Sequence, residues 1–220
     1  MNKLGTLFLS TAMASYLISC RSSDKKSDSN NQSNTQAVVN QAEAVKAVTG
    51  VDAKANADTY AEKMKERRAK GDTLAMPYSE LQKYLPQTLS GYTAEKPEGA
   101  SLNMGQMSYS SAHIRFKKDN GDWVKVSIVD YNQAYNLYNT ASMVWKMNIS
   151  ADSPEKKTNS IKLDNTEGGL EDYNKRNKEA KITLGVGSRF WIAVEASNQT
   201  DVSMVESVAK SLDLSKMASM

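Results

Sequence analysis

Apolar and polar positions alternate with period 2 in two neighbouring runs, and this is the clearest local pattern in the chain. Ala112, Ile114 and Phe116 alternate with His113, Arg115 and Lys117. After Asp119-Asn120-Gly121-Asp122, Val124, Val126 and Ile128 alternate with Lys125, Ser127 and Val129. Asn-Gly between two such runs predicts an antiparallel hairpin closed by a type I′ turn, because both residues tolerate positive φ. A second pair of runs, Ile182, Leu184, Val186 and then Phe190, Ile192, Val194, Ala196, predicts another hairpin with Gly187-Ser188 as a two-residue type II′ turn. Ile161 to Asn165 and Leu170 to Asn177 read as weaker strands, with Gly168-Gly169 as a bend and Ser150 to Asn159 as a polar loop. Between Leu89 and Gly105 the Gly and Pro content leaves room for one irregular strand, around Gly91 to Ala94.

Helical spacing takes over elsewhere. Tyr131, Ala134, Tyr135, Tyr138, Ala141, Met143 and Trp145 lay an aromatic stripe on a helix that runs to about Met147. Val202, Val205, Val208, Ala209 and Leu212 mark a last helix. Ser79 and Gln82 between Pro77 and Pro86 suggest a short capped helix whose Leu81, Tyr84 and Leu85 face the core. Residues 37–71 are rich in Ala, Lys, Glu and Met and read as two helical pieces divided at Gly50, with Val38, Ala42, Val45 and Thr49 on one stripe and Ala53, Ala57, Tyr60, Ala61 and Met64 on the next. The order implies an α+β fold: an antiparallel sheet of about five to seven strands with packed helices in residues 72–217, preceded by the helices of 37–71.

The pattern before residue 37 is of a different kind. An apolar run from Leu4 to Ile18 follows Lys3, too short for a comfortable membrane span, and closes in Ser19-Cys20. Arg21 to Gln36 contains no apolar residue and predicts a disordered tether, because it offers nothing to bury against its chain entropy. Leu17-Ile18-Ser19-Cys20 resembles the lipobox of bacterial lipoproteins. That resemblance implies a signal peptide over residues 1–19, removed before Cys20, and acylation of the Cys20 thiol, so that the bilayer is the first partner. Two or three acyl chains anchor stably where one is marginal. A lone thiol in an exported chain is otherwise disfavoured, and Cys20 is the only cysteine. Arg21 after the cysteine, where an aspartate would resemble an inner-membrane retention signal, points to the outer membrane in a diderm cell envelope.

Composition narrows the chemistry. The chain has 220 residues, 28 basic and 25 acidic, a net charge of +3 that falls by one when Lys3 leaves with the signal. So small an excess excludes a dedicated nucleic-acid binder. His113 is the only histidine, which argues against a multi-histidine metal site and a catalytic triad. No cofactor motif is present, since Gly185-Val186-Gly187 lacks the third glycine and the following helix of a dinucleotide site. Lys63, Lys65, Arg67, Arg68 and Lys70 form a basic cluster that reads as a solvated helix face.

Short motifs carry a second resemblance: Leu85-Pro86, Leu89-Ser90-Gly91, Met104-Gly105 with Ser108 and Ala112, Val129-Asp130, Tyr173, Val186 to Phe190, and Leu212-Asp213-Leu214. Together, over Tyr78 to Met217, they look like a group of exported bacterial envelope proteins of unassigned function. That implies a shared α+β domain and no transferable activity. The reading of function is a noncatalytic lipoprotein domain, periplasmic or at the surface, that binds a partner protein or serves in an envelope assembly. The first alternative is a carrier or sensor of a small apolar ligand held by Tyr135, Tyr138, Trp145 and Trp191. The second is a hydrolase built on carboxylates such as Asp130, Asp172 and Glu195.

Overall fold

A computed structural model describes residues 46–47, 50–104, 107–132 and 134–220. The signal segment, Cys20, the tether and the first stripe of residues 37–49, apart from Lys46 and Ala47, lie outside the described residues. One antiparallel sheet dominates: β1 (Thr93–Ala94), β2 (Glu98–Met104), β3 (Met107–Lys117), β4 (Trp123–Asp130), β5 (Ser150–Asp152), β6 (Lys156–Ile161), β7 (Gly168–Asn174), β8 (Glu179–Val186) and β9 (Phe190–Ala196). Its order is β1-β3-β4-β9-β8-β7-β6-β5, with β2 also on the outer side of β3. The helices are α1 (Ala53–Ala69), α2 (Tyr78–Leu81), α3 (Tyr135–Lys146), α4 (Ser203–Lys210) and α5 (Leu214–Ala218). The α+β expectation holds, and among the described residues the strand number is corrected upward to nine.

The extra strands come from stretches that periodicity could not mark. β2 is exposed at nearly every position and β5 at all three, so neither shows an apolar alternation. Both are stabilised by backbone pairing to a neighbour instead, β2 to β3 and β5 to β6. The predicted loop at Ser150 to Asn159 is therefore a hairpin, and Gly168-Gly169 opens β7 rather than bending the chain.

Both predicted hairpins form, with different turns. Gly121 takes φ of +89° and its N–H is bonded to the Lys118 carbonyl, while Asn120 is not in the left-handed region. That is a type I turn followed by a glycine bulge, not type I′. Between β8 and β9 both Gly187 (φ +63°) and Ser188 (φ +52°) are left-handed, and Val186 pairs with Phe190 across a three-residue loop. A type II′ turn asks for positive φ only at the first position.

The core sits on one face of the sheet. Phe116, Val124, Val126, Ile128, Ile182, Leu184, Ile192 and Val194 are fully buried there, beneath Leu81 and Leu85 and the apolar sides of α4 and α5. Pro77 occupies the N-cap of α2, so Ser79 and Gln82 form no capping box. On the opposite face α3 crosses the β7–β8 side, where the absence of a Cβ at Gly185 admits the Trp145 ring. α1 in turn packs on α3. Gly50 at φ +71° ends the preceding turn, and Asp52 caps α1 by accepting from Ala55 N at 2.9 Å. The buried side of α1 is Asn56, Tyr60 and Arg67, whereas Ala61 of the predicted apolar stripe is exposed.

Candidate functional site

Two places on this framework carry chemistry: a buried polar junction under α1 and an exposed apolar end of the β2–β3 hairpin. The junction forms where the core parity of the strands changes from apolar to polar. In β3 the inward positions run Phe116, Ile114, Ala112, then Ser110 and Ser108; in β4 they run Val124, Val126, Ile128, then Asp130. Ser110 and Asp130 are cross-strand partners, so the polar ends meet.

Asp130 is wholly buried and faces Arg189 through two bonds, Nε to Oδ1 at 2.9 Å and Nη2 to Oδ2 at 2.7 Å. Its oxygens also accept from Met76 N at 2.8 Å and Asn132 N at 2.9 Å. Arg189 reaches Asp72 with its remaining terminal nitrogen at 2.6 Å. Burial alone pulls the Arg189 pKa down, but the hydrogen bonds and charge of Asp130, then Asp72, outweigh it and leave the guanidinium above its ordinary value. The Asp72 to Met76 segment is thereby tied along the sheet, with Ala75 N donating to Ser108 Oγ at 2.8 Å and Ser110 Oγ to the Met76 carbonyl.

Arg67 enters the same junction from α1. Its Nε donates to Asn132 Oδ1 at 2.9 Å, and its terminal nitrogens donate to the carbonyls of Gly187 and Ser188 at 3.3 and 3.2 Å. Those are the two left-handed residues of the β8–β9 turn, and a non-glycine residue there costs about 1–2 kcal/mol. Glu167 holds the turn from the other side, accepting from the Ser188 backbone N and, at 2.6 Å, from Ser188 Oγ. Its second oxygen accepts from Tyr138 at 2.7 Å and from Tyr60 at 3.0 Å. The cluster expected as a solvated helix face is thus split: Arg67 is buried, while Lys63, Lys65, Arg68 and Lys70 are exposed.

Tyr60 and Tyr138 both have hydroxyl pKa values raised above 10.0, first by burial and then by the charge of Glu167. A folded-state pKa above the unfolded one means that this contribution to stability is complete below about pH 10 and is lost as pH rises beyond it. The urea midpoint is expected to fall above that pH. A Tyr60→Phe/Tyr138→Phe chain should show a shallower alkaline decline, besides losing stability at neutral pH; identical alkaline slopes would rule out this coupling.

The sequence-named site residues are placed as follows. Tyr138 and Trp145 are buried against each other, ring centroids 5.6 Å apart, and Tyr60 fills the next position at 5.2 Å from Tyr138. Trp191 is half-buried beside them, with Lys181 Nζ 6.0 Å from its ring. The side chain of Tyr135 lies outside the described residues. Two rings of the stripe, Tyr138 and Trp145, therefore meet as packed aromatic neighbours, with Trp191 supplied by β9 and Tyr60 by α1. The carboxylates are not brought together: Asp130 serves Arg189, Asp172 pairs with Lys156 at 2.8 Å, and Glu195 pairs with Lys181 at 2.8 Å. His113 lies on the opposite sheet face from the core, 3.4 Å from Glu98. Among the described residues, no three His, Cys, Asp or Glu side chains are grouped to hold a metal ion.

The second place is the hairpin end. Leu102 pairs with Tyr109 and Met104 with Met107, so these four side chains share one face of β2 and β3. Leu102 is 39% exposed and Met104 61%. The alternate β2 residues Gly99 and Ser101 turn the other way, toward Tyr78. No protein-family model, curated protein or solved structure matches this chain.

Proposed function

We propose that the chain is a lipid-anchored, noncatalytic protein of the bacterial cell envelope whose α+β domain binds a partner protein through the end of the β2–β3 hairpin. The anchor reading rests on the form of the N-terminal signal and on Cys20 as the one thiol. The partner reading rests on a single observation: Leu102 and Met104 stand exposed on an edge strand, beside Met107 and Tyr109 on the same face. An edge strand presents unpaired backbone groups, and apolar side chains on it add a surface that water does not favour. Residues 21–36 contain no apolar residue, which suits a spacer between an anchored Cys20 and the domain.

The test is photocrosslinking in intact cells with a diazirine amino acid at position 104, and at position 157 on the far side of the sheet as control. A discrete adduct from 104 that disappears when Leu102→Asp is introduced is expected; adducts of equal yield at both positions would refute the hairpin assignment. In the same cells a Cys20→Ala chain should incorporate no palmitate and should leave the membrane fraction. Unchanged membrane association of that chain would overturn the anchor.

A further inference from the structure

We infer that β2 pairs antiparallel with β2 of a second copy of this chain, across a two-fold axis at Ser101, so that the sheet continues from one protomer into the next. The inference rests on the hairpin-end reading above and names its partner.

β2 is an edge whose outer hydrogen-bonding groups are free. Lys118 N donates to the Asp122 carbonyl at 2.8 Å where β3 turns into β4, which directs the even-numbered residues of β3 toward β4 and the odd-numbered ones toward β2. Gly99, Ser101 and Asn103 stand opposite Ala112, Ser110 and Ser108, all even-numbered, and so turn their N–H and C=O groups away from the sheet. Among the described residues, no other group bonds to these outward main-chain atoms. Edge strands are ordinarily guarded by charges, proline or bulges. Here the guard stops early: Glu95, Lys96, Pro97 and Glu98 protect the approach, whereas residues 99–104 carry neither a charge nor a proline.

Both faces beside this edge are apolar. Six large apolar side chains are exposed among the described residues, and Leu74, Tyr78, Leu102 and Met104 are four of them. Leu102 and Met104 share one face. Leu74 and Tyr78 lie on the other, in a segment that crosses β2. Ala75 N is bonded to Ser108, which pairs with Asn103; Tyr78 N donates to Ser101 Oγ at 2.9 Å; and the Tyr78 ring rests on Gly99. Leu74 therefore stands at the Asn103 end of the strand and Tyr78 at the Gly99 end.

This arrangement is self-complementary, and that selects a second copy as the occupant. A two-fold axis at Ser101 sets Asn103 opposite Gly99 of the other protomer and Leu102 opposite its Ala100, the isologous contact that closes a dimer. Leu74 of each protomer then meets Tyr78 of the other. The cleft that receives the ring, lined by Leu74, Ser101 and Asn103, has a volume of about 700 Å³. Glu98, the one charge in β2, falls opposite Met104; a parallel pair would set it against its own copy. About six main-chain hydrogen bonds join the two strands, contributed by the outward groups of Gly99, Ser101 and Asn103.

The experiment uses the full chain carrying Cys20→Ala, which leaves no thiol. Sedimentation equilibrium should show a dimer that dissociates on dilution. Leu102→Lys, at an exposed edge position, should weaken that association about tenfold or more and leave Tm of the monomer unchanged. Register is read by mild oxidation. An equimolar mixture of chains carrying Ala100→Cys and Leu102→Cys should give the mixed disulfide, because these positions face each other at about 4.5 Å between Cα atoms, whereas each meets its own copy only diagonally, at about 7–8 Å. Lys157→Cys should couple with neither. A chain that is monomeric at every concentration, or disulfides formed without preference for the mixed pair, overturns the second copy as the occupant. Photocrosslinking from position 104 separates this failure from that of the broader reading: a monomeric chain that still captures a discrete different protein loses the second copy alone, and a monomer without a discrete adduct loses both.

Discussion

An Asp130→Ala chain is expected to lose about 3–5 kcal/mol of stability, the largest effect of any single polar substitution in this protein. The side chain is wholly buried, and its removal strands the Arg189 guanidinium, itself buried, with only Asp72 to answer its charge. The same change orphans the backbone N–H groups of Met76 and Asn132, which among the described residues have no other acceptor in the junction. Each such loss costs about 1–3 kcal/mol when water cannot replace the partner. Arg189→Met should be similarly damaging from the opposite direction, because Asp130 would then lose both of its charge-assisted bonds to the guanidinium. The double variant should be clearly more stable than the sum of the two single losses predicts, as apolar replacement of a buried pair removes both desolvation penalties. Urea unfolding of the four chains measures this cycle. A loss under about 1 kcal/mol for Asp130→Ala would mean that water reaches the pair and that the junction is not closed as described.

Trp145→Ala should cost about 3–5 kcal/mol, the usual range for truncating a large aromatic ring inside a packed cluster. Its partner in the argument is Gly185. A Cβ at that position would stand 2.2 and 2.6 Å from two atoms of the Trp145 ring and 2.7 Å from the Tyr138 hydroxyl. Gly185→Ala should therefore destabilise by about 1–3 kcal/mol through overpacking. In the Trp145→Ala background most of that penalty should vanish, because the ring that the new methyl meets is gone. Additive losses in this cycle would show that α3 does not lie against β8 at Gly185. A loss for Trp145→Ala that disappears when lipid extract is added would instead favour an apolar ligand at the aromatic stripe.

Much of the junction was visible in the strand alternation, once the polar residues are counted by parity. Ser108, Ser110 and Asp130 stand at positions where β3 and β4 otherwise place Ala112, Ile114, Val126 and Ile128 inward. A polar residue at core parity signals a buried partner, and that signal was present without the structure. The identity of the partner was not, since Arg189 lies 59 residues beyond Asp130 in a turn that local pattern describes only as a turn. Arg67 was harder still. It sits among five basic residues, and only the packing of α1 on α3 through Asn56 and Tyr60 distinguishes it from its exposed neighbours.

By itself, the order of residues determined the class of fold, the two central hairpins and the inward faces of β3, β4, β8 and β9, because side-chain alternation and turn-forming residues act over a few positions. It also determined that the chain carries one thiol and, in residues 21–36, a stretch without apolar side chains. The tertiary structure alone decided that β2 and β5 are strands, that Ser188 takes a left-handed conformation, and that α1 brings Arg67 beneath the β8–β9 turn. Each of these depends on groups far apart in the chain, a pairing neighbour for an exposed strand or a carboxylate and a guanidinium for a strained turn, and no local rule of spacing contains them.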